Sequence, residues 1–539
     1  MERGSLQTQP NSLPVSEAVL ESESADSGSE SGLLQWLIAG GVTDDTRSGA
    51  GPASQVNAAR GNGWLRSLHT GSPLELMRLW LNLKPGDNVD IQRIKRCLAR
   101  DIARIDQLLS AQLNEILHAP AFQELESGWR GLYYLWQTRR KELSTGQLDD
   151  EEAQILIRVL SVSKRELKKN FEAAGEFDQN ELFRKVYEEE FGVAGGEPYG
   201  ALIANYEFTN HPEDIDLLTQ LSEVGAAAFA PVITGASPSL LGLDDFSVLE
   251  QTLDLHRVMQ QPRHLKWRSL RGRVDSQFLG MTLPRILMRA PYHDSSGVTP
   301  GFRFTEEVGD GTRKNFLWGS AAWAMGAVLI RAFATSGWFA DIRGAERGRE
   351  SGGMVAGPAV YEFQTDSRGV SSRSTVEVAI SDSLEADLCS LGFVPLSHCK
   401  DTDYSVFYSN QSVHAPQVFS DSVASANAKI SAMLQYVMCC SRIAHYIKIK
   451  VREKLGAAVR PEKVCDDIKA WLVDYVTSDE RASPEMKARY PLREADVSVE
   501  EVPGKPGEFS MTLRLLPHYQ LDQLTSSMTL LARRVEFKQ

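Results

Sequence analysis

The chain has 539 residues, 42% of them hydrophobic and 24% charged, with a formal net charge of -13. That is enough for a substantial core and roughly two to four domains, with the composition of an ordinary globular protein. An acidic balance without a long basic run argues against nucleic acid as the main partner, and MERGSLQTQPNSLPVSE at the N-terminus has no apolar segment of secretory type.

Residues 1–31 are rich in Ser, Glu, Gln and Gly and read as a disordered tail. In residues 32–86 short apolar patches alternate with Gly, Ser, Asp and Pro, the pattern of an arm that docks on something but does not fold alone. Residues 87–150 read as a helical pair. The first helix runs from Asp90 to Leu117 with Ile105, Leu108, Leu109, Leu113, Ile116 and Leu117 along one face, and Pro120 starts the second. There Phe122, Leu125, Trp129, Leu132, Tyr133 and Trp136 recur at helical spacing within an arc of about 100°. This stripe is expected to be buried, in a core or against a partner. Glu126 and Arg130 form an ion pair at its edge, and Gly131, which weakens a helix by about 1 kcal/mol, marks a close backbone approach.

Residues 151–374 alternate element types: strand Gln154–Val162, helices Lys164–Phe171 and Glu181–Phe191, strand Tyr199–Phe208, helix Glu213–Phe229 and strand Pro231–Thr234. A β-α-β succession of this kind gives a mixed α/β fold of layered sheets and helices. Further on, NFLWGSAAWAMGAVLIRAFATSGWFADIRG reads as a core helix whose small residues admit close neighbours, and Gly344–Gly357 as a flexible loop. Residues 375–539 open with strand Thr375–Ile380, helix Ser383–Leu391 and short strands Phe393–Leu396 and Tyr404–Tyr408. A long, central helix from Asp421 to Leu455 and a helix Glu462–Thr477 follow. The chain closes with alternating runs Val497–Val502, Phe509–Leu515 and Met528–Phe537.

No sequence signature calls for catalysis. The chain has no G-x-G-x-x-G after a strand, no phosphate-cradling loop, no H-E-x-x-H and no G-x-S-x-G elbow. The six cysteines lack Cys/His metal spacing and read as free thiols of a reducing cytoplasm; no metal or other cofactor is indicated. Glu213, Asp214 and Asp216 more simply supply negative charge to a helix start than hold a metal. Asn315–Ile330 is too short to span a bilayer and runs into Arg331, so membrane insertion is not expected.

Several long blocks occur in a fixed order: SAQLNEILHAPAFQELESGWRGLYYL, GALIANYEF, GMTLPRILMRAPY, FLWGSAAWA, EVAISDSLEADLCSLGFVPL and SRIAHYIKIKVREKLG. In these the chain resembles the large subunit of the type VI secretion contractile sheath, the TssC/VipB family. The resemblance implies a phage-tail-sheath-like inner part and a structural role. The chain would polymerise with a small sheath subunit (TssB/VipA-like) around an Hcp inner tube, on a baseplate, with a ClpV-type unfoldase recycling the contracted polymer. It also implies exchange of the terminal arm and C-terminal strands between protomers, which would involve Val497, Val499, Phe509, Met511, Leu513, Leu515, Met528, Leu530 and Val535. The charged segment Ser478–Asp496, with Lys487, Arg489 and Arg493, is a candidate inner-tube contact or, equally, a solvated connector. A soluble α/β enzyme of unknown activity is the rival class, and a deep polar pocket would mark it.

Overall fold

The computed structural model describes Met77, Trp80, Leu81 and residues 90–518, apart from 146–154, 294–300, 309–312, 347, 365–370, 401, 455–460, 480 and 502–508. The chain divides into two compact units, Met1–Leu108 and Leu109–Gln539. In the first, the Trp80 indole N–H donates to Asp101 Oδ2 at 2.5 Å and, with Arg100, holds that carboxyl below its ordinary range.

Helix α1 (Ile91–Leu117) passes from the first unit into the second, and α2 (Pro120–Thr145) follows after a two-residue break. α3 (Lys164–Ala173) starts on a capping box, in which the Glu166 N–H donates to Ser163 Oγ at 3.2 Å and the Ser163 N–H to Glu166 Oε2 at 2.9 Å. α4 begins as Glu181–Phe183 and widens into a π-helix over Arg184–Phe191. Then come β1 (Leu202–Phe208), α5 (Pro212–Ala228), β2 (Val232–Ala236), α6 (Leu265–Arg271) and β3 (Leu279–Leu283). β4 (Ile286–Leu287) pairs with β5 (Trp318–Gly319), and α7 (Ala322–Ser336) precedes β6 (Met354–Val355). After the hairpin β7 (Tyr361–Gln364) and β8 (Ser371–Ser374) lie α8 (Asp382–Ser390), β9 (Val394–Pro395), β10 (Ser397–His398) and β11 (Ser405–Val406). The C-terminal part holds α9 (Ser422–Ser431), α10 (Leu434–Lys454), α11 (Pro461–Val473), α12 (Pro484–Arg489), β12 (Leu492–Glu501) and β13 (Phe509–Pro517).

The centre is a parallel sheet in the order β1-β2-β3-β9, covered on both faces. The side-chain period of two divides β3 cleanly. Leu279, Met281 and Leu283 join α5, Trp267 and Phe393 in one core cluster, whereas Gly280 faces the other side. A Cβ at Gly280 would sit 2.7 Å from Ile233 and 2.8 Å from Leu434, so the first turn of α10 lies directly on the sheet there. α7, nearly all buried, fills this second face with Ile233, Leu434 and Met438. A third cluster joins α10 and α11 to the apolar side of the β12–β13 hairpin. The mixed α/β reading holds, and α10 reaches all three clusters through Met438, Ile443 and the His445 hydrogen bond to Ala228 O at 2.9 Å.

Several elements differ from their sequence signals. Ile155–Ser163 runs without helix, turn, bend or ladder, so the strand expected there is absent among the described residues. Among the described residues Thr375–Ile380 makes one bridge, Val376 to Ile286: the Leu287 N–H donates to Thr375 O at 2.8 Å and the Glu377 N–H to Arg285 O at 3.0 Å, and the two-residue β4 offers no longer edge to pair with. The long helix is two helices. At the break Met433 bridges to Gln411, the Leu434 N–H donates to Asn410 O at 2.9 Å, and Ser412 takes Ala432 O, so tertiary bonds replace helical ones. Gly344–Gly357 is not a loose loop throughout. Gly352 to Val355 is buried, with Gly352 O and Met354 O accepting from the buried Arg331 guanidinium, whose pKa burial pushes down. β12 begins at Leu492, inside the segment read as a charged connector. The run Met528–Phe537 lies outside the described residues.

Candidate assembly surfaces

On α2 the face turned to the protein includes two small residues, Ser127 and Gly131. Ser127, Gly131 and Leu135 are its buried positions, spaced four apart along one line. A Cβ on Gly131 would stand 2.3 Å from the Trp323 ring of α7, whose indole N–H donates to Asn205 Oδ1 at 3.0 Å. One turn on, Leu135 packs over Gly326, where a Cβ would lie 3.0 Å from its Cδ2. Two glycines thus let α2 and α7 cross closely, as Gly131 suggests in the sequence.

The aromatic stripe lies on the opposite face. Trp129 is 67% exposed, Leu125 58%, Tyr133 55%, Trp136 45% and Phe122 36%, and Leu132 is half-buried. Burial of the stripe inside the protomer is therefore corrected. Periodicity of large apolar residues finds an apolar face but does not say which body covers it, and here the intramolecular contact runs along Gly131 and Leu135, flanked by Leu132 and Tyr134. The rings are ordered all the same: Tyr133 and Trp136 stack at 5.7 Å, and Arg140 lies over Trp136 at 5.6 Å.

A buried ionic network fixes the root of this helix. Arg289 Nε meets Glu126 Oε1 at 2.8 Å, and its two terminal nitrogens grip Glu306, one at 3.1 Å. Glu306 also accepts from the Tyr292 N–H at 2.9 Å, and Arg130, the expected partner of Glu126, sits 2.7 Å from it. Burial works against the Arg289 charge, but hydrogen bonds to Glu306 and Glu126 outweigh it and raise the pKa. Removing one member of such a buried set strands the others, typically at about 3–5 kcal/mol.

The second surface is the C-terminal hairpin. Val497 is buried and Ala495, Met511, Leu513 and Leu515 half-buried on the face toward α11, while Asp496 opposite Arg514 and Ser498 opposite Thr512 lie on the other. Val499 pairs with Met511, and Phe509 with Glu501. Of the strand-exchange residues, Met528, Leu530 and Val535 are outside the described residues. Lys487 and Arg489 stand in the last turn of α12 and Arg493 on β12; Lys487 and Arg493 are both close enough to His518 to help lower its pKa, after burial.

Sequence reasoning missed Ile155–Ser163 as a surface: Leu156, Val159 and Leu160 are 59, 66 and 51% exposed, and its apolar run reads as core. Among the described residues no group of His, Cys, Asp and Glu has metal-binding geometry, and no helix is long and apolar enough to cross a membrane. Glu213, Asp214 and Asp216 pair with Lys168, Lys164 and Lys266 respectively.

These surfaces belong to a protein with sheath relatives. The EvpB/VC_A0108 tail sheath N-terminal domain (VipB) matches residues 99–414, and the companion tail sheath gpW/gp25-like domain (VipB_2) matches residues 423–534. The type VI secretion system sheath protein TssC1 of Pseudomonas aeruginosa is 40% identical over 435 residues, covering 80% of this chain and 84% of that one. Weaker likenesses are to solved structures of the anti-feeding prophage. The baseplate has 10% identity and a TM-score of 0.36 over 70% of this chain and 83% of that one. The contracted helical sheath has 12% identity and a TM-score of 0.25 over 58% and 74%. The matched domains define the class as a tail sheath protein. The chain belongs to the TssC/VipB family of type VI secretion contractile-sheath large subunits. Membership makes it a structural subunit of a polymeric sheath and implies a small sheath subunit as its partner.

Proposed function

We propose that the α2 stripe is the face on which the small sheath subunit docks, and that the resulting heterodimers polymerise in the cytoplasm into a tube around an Hcp inner tube. The exposure of Trp129, Leu125, Tyr133 and Trp136 on a helix anchored by Arg289 carries this reading. Apolar patches of this size on otherwise charged proteins mark association sites, and permanent partners use more apolar surfaces than transient ones. The tube would start on a baseplate, shorten to drive effector delivery and be recycled by a ClpV-type unfoldase, with no catalytic role for this chain. The β12–β13 hairpin and the arm of residues 32–86 would link neighbouring protomers by strand exchange, since unpaired strand edges are templates for pairing. Lys487, Arg489 and Arg493 would face the inner tube. Co-expression with the small subunit followed by electron microscopy tests the reading: tubes are the expected product, and a discrete monomer that ignores the small subunit would refute it.

A further inference from the structure

We infer that residues Ile155–Val162 form a β-strand only in the complex, by pairing edge to edge with a strand of the small sheath subunit. This rests on the reading of the α2 stripe as that subunit's docking face. The segment, ILIRVLSV, has strong β-forming composition, yet in the protomer none of the amides from Leu156 to Val162 donates to a described residue. It is nevertheless held in place. Ile155 is buried and Ile157 packs on the α7 cluster; Ile155 O accepts from Arg139 Nε of α2 at 2.6 Å, and Val162 O from the Tyr206 hydroxyl of β1 at 2.6 Å. Arg158 is tied to Glu190 and Glu197. An anchored segment without turn or bend, whose amides meet no described acceptor and whose Leu156, Val159 and Leu160 are exposed, has already lost much of the entropy that strand addition requires.

The occupant follows from continuity and size. Through the Arg139 bond the segment adjoins the stripe helix, and the exposed parts of Phe122, Leu125, Trp129, Tyr133, Trp136, Leu156, Val159 and Leu160 sum to on the order of 900 Å². A stable heterodimer needs about 800 Å² per partner. A surface so apolar suits a permanent partner better than a contact that must rearrange between copies.

Two adjacent proline variants, Val159→Pro and Leu160→Pro, separate strand pairing from side-chain contact, because neighbouring amides in a strand point to opposite sides. In the full chain co-expressed with the small subunit, one variant should lower its recovery at least about tenfold and the other far less, and the free chain's melting temperature should hold in both. Equal recovery with both, or equal loss with both, overturns the proposal. Hydrogen exchange of the full-length protein supplies the second measurement: alternate amides of residues 156–162 should slow in the heterodimer. Protection already present in the free chain would mean intramolecular pairing, protection appearing only in the polymer would mean a second copy, and either refutes the inference. If Trp129→Ala abolishes binding while the strand stays unprotected in the wild-type complex, the stripe stands and the strand falls; the reverse result sinks the stripe alone.

Discussion

Replacing Trp129 by alanine separates an assembly surface from a core. In the protomer the indole is 67% exposed, so its loss removes little packing, and alanine is the better helix former by roughly 0.5 kcal/mol. The net effect on the free chain should stay within about 1 kcal/mol, as for other surface substitutions. Against a partner the balance reverses. Two-thirds of a tryptophan is roughly 170 Å², and at about 25 cal/mol/Å² its burial is worth about 4 kcal/mol. Truncation at an interface centre should then cost about 2–4 kcal/mol, some 30- to 1,000-fold in affinity for the small subunit. Thermal unfolding of the variant, beside a titration of small subunit, reads both quantities. A melting temperature lowered by several degrees with affinity unchanged would mean that Trp129 belongs to a core, and the reasoning would fail.

Gly131→Ala, two positions along the same helix, should do the opposite: its Cβ meets the Trp323 ring at 2.3 Å, so the indole must leave Asn205 and the chain should lose about 1–3 kcal/mol by thermal melt. Glu377 is buried and its carboxyl is pushed up to about 7, chiefly by desolvation, with Arg285 opposing and Asp245 and Glu207 adding to it. Its folded pKa lies above the unfolded value, so its stabilising contribution is full below about pH 4.5 and is lost as pH rises through 7, by up to about 3 kcal/mol. Glu377→Gln should flatten the rise of stability toward acid across that window, and an unchanged pH profile of unfolding would contradict the assignment. Reversing the charges at Lys487, Arg489 and Arg493 should leave heterodimer recovery intact but reduce tubes assembled around the inner tube in micrographs; normal tube yield would remove these residues from that role.

Where local chemistry decides, the sequence is legible. Pro212 and the acidic first turn place the start of α5, Ser381 and Gly392 bracket α8, and the small residues of α7 announce a crowded core helix. It is less legible where tertiary bonds override a period. Asn410 and Gln411 split one apolar helical pattern into α9 and α10, and the run Thr375–Ile380, which alternates like a strand, finds only the two-residue β4 to pair with at its start. The stripe of α2 is the instructive case. Six large side chains outshout Ser127, Gly131 and Leu135, although the quiet face makes the intramolecular contact. Ile155–Ser163 shows the same ambiguity, since β propensity reports a fit to a pleated surface and not whose surface it is.

The bonds at the far end of α10 bear on how the molecule would carry tension. Arg452 holds the carbonyls of Val193, Phe191 and Gly192 at 2.6, 2.9 and 3.2 Å, closing the open end of the π-helix, and His445 takes Ala228 O at the end of α5. Both grips join residues of the C-terminal matched domain to residues of the N-terminal one, and the three Arg452 bonds share a single rigid guanidinium. A pull entering at the β12–β13 hairpin runs into α10 and leaves it at the terminal carbonyls of two other helices. Bonds clustered in this way must give together, whereas the rungs of a hairpin can be unzipped one at a time. The chain therefore has a tie-rod through its middle, and under strain the terminal strands should yield before the two matched domains part.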